Sequence, residues 1–194
     1  MNSDYKTILG TAAVIIAFLS YVPYFRNIFA GKTKPHAFSW LVWGVLNAIA
    51  FAGQVHGKGG AGTWAVGLTA AVMFAIFSIS LVRGEKDIKL FDWLCLAGAA
   101  VALLLWFITN GPLLTVILIT AIDAFGFLPT VRKSYKKPHQ ETLVTFTLSI
   151  VKYLFVVIAL QKYTIITTLF PLSLVIMNGL FVGMLLIRRR QVTA

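Results

Sequence analysis

The chain is poor in acid and in sulfur. Of 194 residues, six are Asp or Glu against 17 Lys and Arg, and there is one cysteine. A single cysteine excludes an internal disulfide. Cys95 sits in the apolar run WLCLAGAA with no metal-ligand cluster around it, so it reads as a small packed residue. Charged residues make up 12% of the chain and hydrophobic ones 59%. A water-soluble domain of this length needs more polar surface. There is no HExxH, P-loop, GxSxG or CxxC, and no Ser/His/Asp set or carboxylate pair at one depth. These absences speak against an enzyme and against a bound cofactor. Alternating ten-residue segments are missing too, which excludes a membrane β-barrel.

What remains is apolar runs of about 20 residues, the length that crosses a bilayer core as a helix. The mean hydropathy is +0.86. Polar and glycine-rich breaks divide the chain into seven runs, near 7–29, 37–55, 62–82, 90–108, 112–131, 142–160 and 164–187. The expected fold class is all-α integral membrane, with seven transmembrane helices. The connections are short, which predicts that helices adjacent in sequence are antiparallel neighbours. The start, MNSDYK, is not a typical signal-peptide n-region, so the first run is expected to stay as a helix.

The cations are distributed unevenly. Thirteen fall in the first, third and fifth loops and the C-terminal segment, three (Lys6, Lys58, Lys162) on the other side, and Lys152 lies inside a run. Cytoplasmic loops carry the excess of Lys and Arg. The expectation is a cytoplasmic C-terminus, an outer N-terminus and multi-pass insertion in a bacterial inner membrane. The charge of +11 then orients the chain and touches lipid heads, and nucleic acid is not expected as a partner. Trp64 and Trp106 near outer ends, with Trp40 and Trp93 near inner ends, suggest an interfacial belt.

A second pattern is a repetition. Pro23 and Arg26 recur as Pro129 and Arg132, and Lys34-Pro35-His36 recurs as Lys137-Pro138-His139. SLVRGE and LLIRRR close the third and seventh runs. The chain reads as a three-helix repeat (1–85), a linker helix (86–110) and a second three-helix repeat (111–194), a 3-1-3 plan. Three helices would invert the second copy, and the linker restores its orientation. The repeats are then parallel, about an axis along the membrane normal. Proline breaks one backbone bond and kinks a helix, so Pro23 and Pro129, with Tyr24 and Ser39 at the same level, are candidate inner-gate residues.

This plan, with a proline at the cytosolic end of helices one and five followed by a basic loop, resembles the PQ-loop and SWEET-like superfamily of seven-helix transporters. The resemblance covers nearly the whole chain. It departs in the glutamine of the Pro-Gln pair, replaced in Pro23-Tyr24 and Pro129-Thr130. Trp40-x-x-Trp43 is similar to the paired tryptophans of bacterial nicotinamide-riboside transporters, which use a related plan. The resemblance implies alternating-access transport of a small solute, sugars in SWEETs and amino acids in lysosomal relatives. It also implies a ligand role for Asn178, which matches by depth the helix-seven asparagine of SWEETs, whereas helix three has Met73-Phe74.

Few polar groups lie deep in the runs. Asp123 is about 12 Å and Lys152 about 15 Å from the cytosolic interface at 1.5 Å per residue, and burying either alone costs at least about 2.5–3.5 kcal/mol. A direct Asp123–Lys152 ion pair is the expectation, serving either helix pairing or a site that binds substrate or relays a proton. Their counterparts in the first half are Ala17 and Ile49. Asn47 and Asn178 place amides at midplane depth, and Trp43 and Phe74 are candidate cavity-lining aromatics. Gly179-x-x-x-Gly183 has small-residue spacing, which suits helix packing or a homo-oligomer. The expected function is transport of a small polar solute (sugar, amino acid, carboxylate or nucleoside-like), with a proton as candidate coupling ion. The rival reading is a ligand-binding receptor or trafficking protein on the same fold, without net flux.

Overall fold

The structure, a computed structural model, describes residues 4–56, 62–108, 111–159 and 163–192. Lys58 and Lys162 lie outside the described residues, as do the side chains of Lys6 and Trp64. The described residues form seven α-helices: α1 Asp4–Phe29, α2 Ala37–His56, α3 Gly62–Arg83, α4 Leu90–Ile108, α5 Pro112–Lys136, α6 Leu143–Ala159 and α7 Ile165–Gln191. A single 3-10 turn, Pro138–Gln140, precedes α6, and there is no strand among the described residues. Among the described residues three helical stretches are long and apolar enough to cross a membrane by length and composition: Leu90–Ile108, Leu113–Lys136 and Thr167–Gln191.

Local chemistry explains the ends. α1 stops in a Schellman motif. Gly31 takes φ +72°, its amide bonds to Ile28 O, and the Lys32 amide reaches Asn27 O. α4 starts with the Asp92 carboxylate accepting from the Lys89 amide at 2.8 Å, the reach-back of a capping box. α7 starts with a reciprocal box between Thr164 and Thr167. Two helices run further than the apolar pattern predicts. α5 continues through Arg132, Lys133 and Lys136, and α7 through Arg188, Arg189 and Arg190. Cations at a helix C-terminus complement its partial negative charge, so basic residues expected in a loop and a tail instead extend helices.

The packing order bears out the expectation that sequence neighbours are spatial neighbours for α2–α3, α4–α5 and α6–α7 and corrects it for the other three pairs. Among the described residues the backbones of α1 and α2, of α3 and α4, and of α5 and α6 do not pack together; α1 and α2 meet through Tyr24 and Trp40, and α5 and α6 through the Phe127 and Phe146 rings. In the triplet α1–α3 the third helix packs on α2 and slightly on α1. In the triplet α5–α7 the third packs on both others. The triplets interlock crosswise, α1 on α6 and α2 on α5, and α4 packs on α5 and α2.

The two crossings use matching positions. On α1, three residues before Pro23, Ser20 O accepts from Thr145 Oγ1 at 2.8 Å. On α5, three residues before Pro129, Gly126 faces Val42 so closely that a Cβ there would lie 2.6 Å from Val42 Cγ1. The helix ends match as well. Arg83 Nη1 donates to Phe29 O at 3.2 Å and stacks on the Phe29 ring. Arg188 Nε donates to Tyr135 O at 3.0 Å and stacks on the Tyr135 ring. Phe29 and Tyr135 each follow their proline by six residues.

One tryptophan is not where the belt expectation put it. Trp40 is buried, with its indole N–H donating to Tyr24 OH at 3.1 Å, whereas Trp93 on α4 is exposed. A buried indole needs that hydrogen bond.

Candidate functional site

Between the triplets lies a cavity of about 110 Å³. Helices of both contribute: Tyr21 from α1, Trp43 and Asn47 from α2, Met73 from α3, Asp123 and Phe127 from α5, Ser149, Lys152 and Tyr153 from α6, and Phe170 and Asn178 from α7. It lies where the backbones of α5 and α6 do not pack together.

Its polar groups are few. Asp123 is 6% exposed and makes neither hydrogen bond nor ion pair among the described residues. Lys152 sits with Nζ 3.9 Å from the centroid of the Tyr153 ring. Asn178 donates from Nδ2 to Leu174 O at 2.7 Å, within its own helix, and Asn47 donates to Trp43 O at 2.9 Å and to Met73 Sδ at 3.2 Å. The expected direct ion pair between Asp123 and Lys152 is therefore not formed. Both side chains face the cavity, on helices whose backbones do not pack and which meet through the Phe127 and Phe146 rings, 6.1 Å between centroids.

An aromatic layer closes one end. Tyr24, Trp40, Trp43, Phe127, Phe181 and Phe146 form a chain of ring contacts with centroid separations from 4.5 to 5.6 Å. It runs from α1 and α2 to α5, α7 and α6, so both triplets meet in it.

Beyond that layer the basic end is tied by polar bonds. Lys133, 1% exposed, donates to the Glu141 carboxylate, to Lys34 O at 2.8 Å and to Gln140 O at 3.1 Å. The Lys34 amide also donates to Gln140 O, and Thr142 Oγ1 meets Thr33 Oγ1 at 2.6 Å and Asn27 Nδ2 at 3.1 Å. Thr130 donates to Ser39 Oγ at 2.8 Å. Each of these bonds except those to Glu141 and from Lys133 to Gln140 joins the first triplet to the second. Arg132 holds the fully buried Asp92 through two 2.6 Å bonds, and Lys137 bonds Glu85 at 2.9 Å. Burial raises the Glu85 carboxyl, but the Asp87 amide and Lys137 outweigh it and hold it below the usual range. His36 is buried 3.5 Å from Asp92, and burial pushes its pKa down to about 4 against the pull of that carboxylate.

Asp123, Lys152, Asn178, Asn47 and Trp43 thus come together around one cavity. Phe74 does not join them: its ring packs against Gly44, 3.0 Å from where a Cβ would stand. Pro23 and Pro129 lie inside α1 and α5, on the basic side of the cavity, and Tyr24 lies in the aromatic layer. Sequence reasoning missed Tyr21, Tyr153 and Phe170 as lining residues, and missed the polar ties altogether. Gly179 and Gly183 have no neighbour within 4 Å of an added Cβ, so their spacing serves no packing inside the chain.

Comparisons with protein-family models, curated proteins and solved structures found no match to this chain.

Proposed function

We propose that this chain is a seven-span transporter on the PQ-loop and SWEET-like plan, carrying a small polar solute by alternating access. Its N-terminus faces outside and its C-terminus the cytoplasm of a bacterial inner membrane, an orientation that the cation bias supports. α1–α3 and α5–α7 are parallel repeats with α4 as linker. The crosswise packing of α1 on α6 and α2 on α5 supports this reading, as do the matched Arg83–Phe29 and Arg188–Tyr135 caps.

The observation that carries the proposal is the cavity itself. Both triplets line it, and it holds an unpaired carboxylate and an unpaired ammonium at mid-helix depth. Ionisable groups in a membrane interior mark substrate or ion pathways. The aromatic layer and the polar ties shut the basic end, giving the conformation closed towards the cytoplasm. Rocking the triplets apart at that end, about helices bent at Pro23 and Pro129, would open the other access.

The test is counterflow in proteoliposomes. Vesicles preloaded with each of a panel of sugars, amino acids, carboxylates and nucleosides are diluted into labelled solute. At least one should exchange, and Asp123→Asn should abolish that exchange. A proton-driven carrier also responds to a pH gradient, a response that Asp123→Asn removes if Asp123 holds the proton. Saturable binding without exchange of any solute would refute transport and leave a receptor.

A further inference from the structure

Asp123 and Lys152 are the two charged groups that line the cavity, and neither makes an ion pair among the described residues. At the basic end every described carboxylate holds a cation: Glu85 with Lys137, Asp87 with Lys89, Asp92 with Arg132, and Glu141 with Lys133. Asp123 holds none, although it is 6% exposed. Lys152 rests on the face of the Tyr153 ring, a weaker counterpart than a carboxylate. The two side chains project from α5 and α6, the members of the triplet whose backbones do not pack, and Asn178 of α7 lines the same space.

An uncompensated buried charge is strongly unfavourable. Two opposite ones facing a common gap are matched by a ligand that brings the complementary pair. A sugar offers hydroxyls and cannot neutralise either group. A simple carboxylate or a simple amine neutralises one and leaves the other.

Size narrows the ligand further. A cavity of about 150 Å³ on the same scale accepts benzene, with its six heavy atoms. The 110 Å³ here therefore suits a solute of about six heavy atoms or fewer. Hexoses and nucleosides are at least about twice that size. Trp43, Phe127 and Tyr21 wall further sides of the cavity.

We propose that the cavity binds a short zwitterion, an ammonium and a carboxylate on a skeleton no larger than that of glycine, alanine or β-alanine. Its ammonium lies against Asp123 and its carboxylate against Lys152. The inference rests on the reading of this cavity as the solute site, and it names the class of solute. Asn178 Oδ1, which makes no hydrogen bond with the described residues, is a further acceptor for the ammonium.

The test is binding to the full chain in lipid nanodiscs at pH 7, followed by tryptophan fluorescence, since Trp40 and Trp43 line the cavity. The probes are glycine, L-alanine and β-alanine, with acetate, ethylamine and D-glucose as single-feature controls. At least one zwitterion should bind saturably and at least tenfold more tightly than any control. Asp123→Asn and Lys152→Met should each weaken it tenfold or more while melting cooperatively without ligand. Asp123→Asn should then favour acetate over ethylamine, and Lys152→Met the reverse. Where a single variant does not fold, Asp123→Asn/Lys152→Met, which removes both charges together, should fold and lose zwitterion binding. Glucose or acetate equalling the zwitterions would overturn the proposal. So would zwitterion binding undiminished in the folded variants, or no binding of any probe. Zwitterion binding without flux would keep this inference and refute transport, whereas flux of another solute without zwitterion binding would do the opposite.

Discussion

Lys133→Met is the substitution that most sharply probes the closed basic end. It keeps the length and apolar stem of the side chain and deletes the ammonium. Three acceptors depend on that ammonium: the Glu141 carboxylate, Lys34 O and Gln140 O. Gln140 O keeps the Lys34 amide, but Glu141, 2% exposed, is left as a buried charge without its cation. Breaking a buried pair from one side costs about 3–5 kcal/mol. Lys133→Met/Glu141→Leu removes both charges and should cost less than Lys133→Met alone, because no charge is stranded. The assay is equilibrium unfolding in mixed micelles with increasing dodecyl sulfate. A second readout reports the opening. Ser39 is fully buried under the ties, so Ser39→Cys in a Cys95→Ala background should react slowly with a membrane-impermeant thiol reagent from the cytoplasmic side. Adding Lys133→Met should speed that reaction at least tenfold. A cost below about 1 kcal/mol, the range of solvated surface pairs, with unchanged reactivity, would refute the tie as a closure.

Three further outcomes are expected. His36 has a folded pKa of about 4 against an ordinary 6.5, so the unfolded chain binds the extra proton first. Stability is then fully present above pH 6.5 and falls by up to about 3 kcal/mol as pH drops to 4; His36→Gln should flatten that window in unfolding titrations, and an unchanged slope would contradict the burial argument. Gly126→Val places methyls against Val42 and should cost about 1–3 kcal/mol, with much of it recovered by Val42→Ala in the same assay. Arg83→Met and Arg188→Met each remove one carbonyl cap and one ring contact, and Arg188→Met also removes an exposed bond to Gln191 Oε1, so their losses should agree within about 1 kcal/mol; a larger difference would count against equivalent roles in the two triplets.

The helices were legible because their boundaries are written locally, in glycine, proline and charge. Gly31 and Thr164 mark ends by mechanisms that need no tertiary information. Packing order was not legible, since chain connectivity does not say which non-adjacent helices meet, and the crosswise contacts of α1 with α6 and α2 with α5 are long-range. The cavity residues were found by depth. Depth does not fix rotation, and successive residues on a helix point about 100° apart. That is why Met73 lines the cavity while Phe74 packs on Gly44. The polar ties left one unread signal: acidic residues among the cations, Glu85 and Glu141 in the basic loops and Asp92 at the start of α4, although only Glu141 binds a cation near it in sequence. Counting those loops only for net charge concealed the pairs.

The central claim is that the basic end must open for solute to pass. Thr33 and Thr142 hydroxyls meet at 2.6 Å across the two triplets, so Thr33→Cys/Thr142→Cys in the Cys95→Ala background should form a disulfide that holds this end shut. In proteoliposomes the oxidised protein should lose solute exchange while still binding its ligand, and reduction should restore exchange. Exchange that continues at the unlocked rate with the disulfide fully formed would contradict the account.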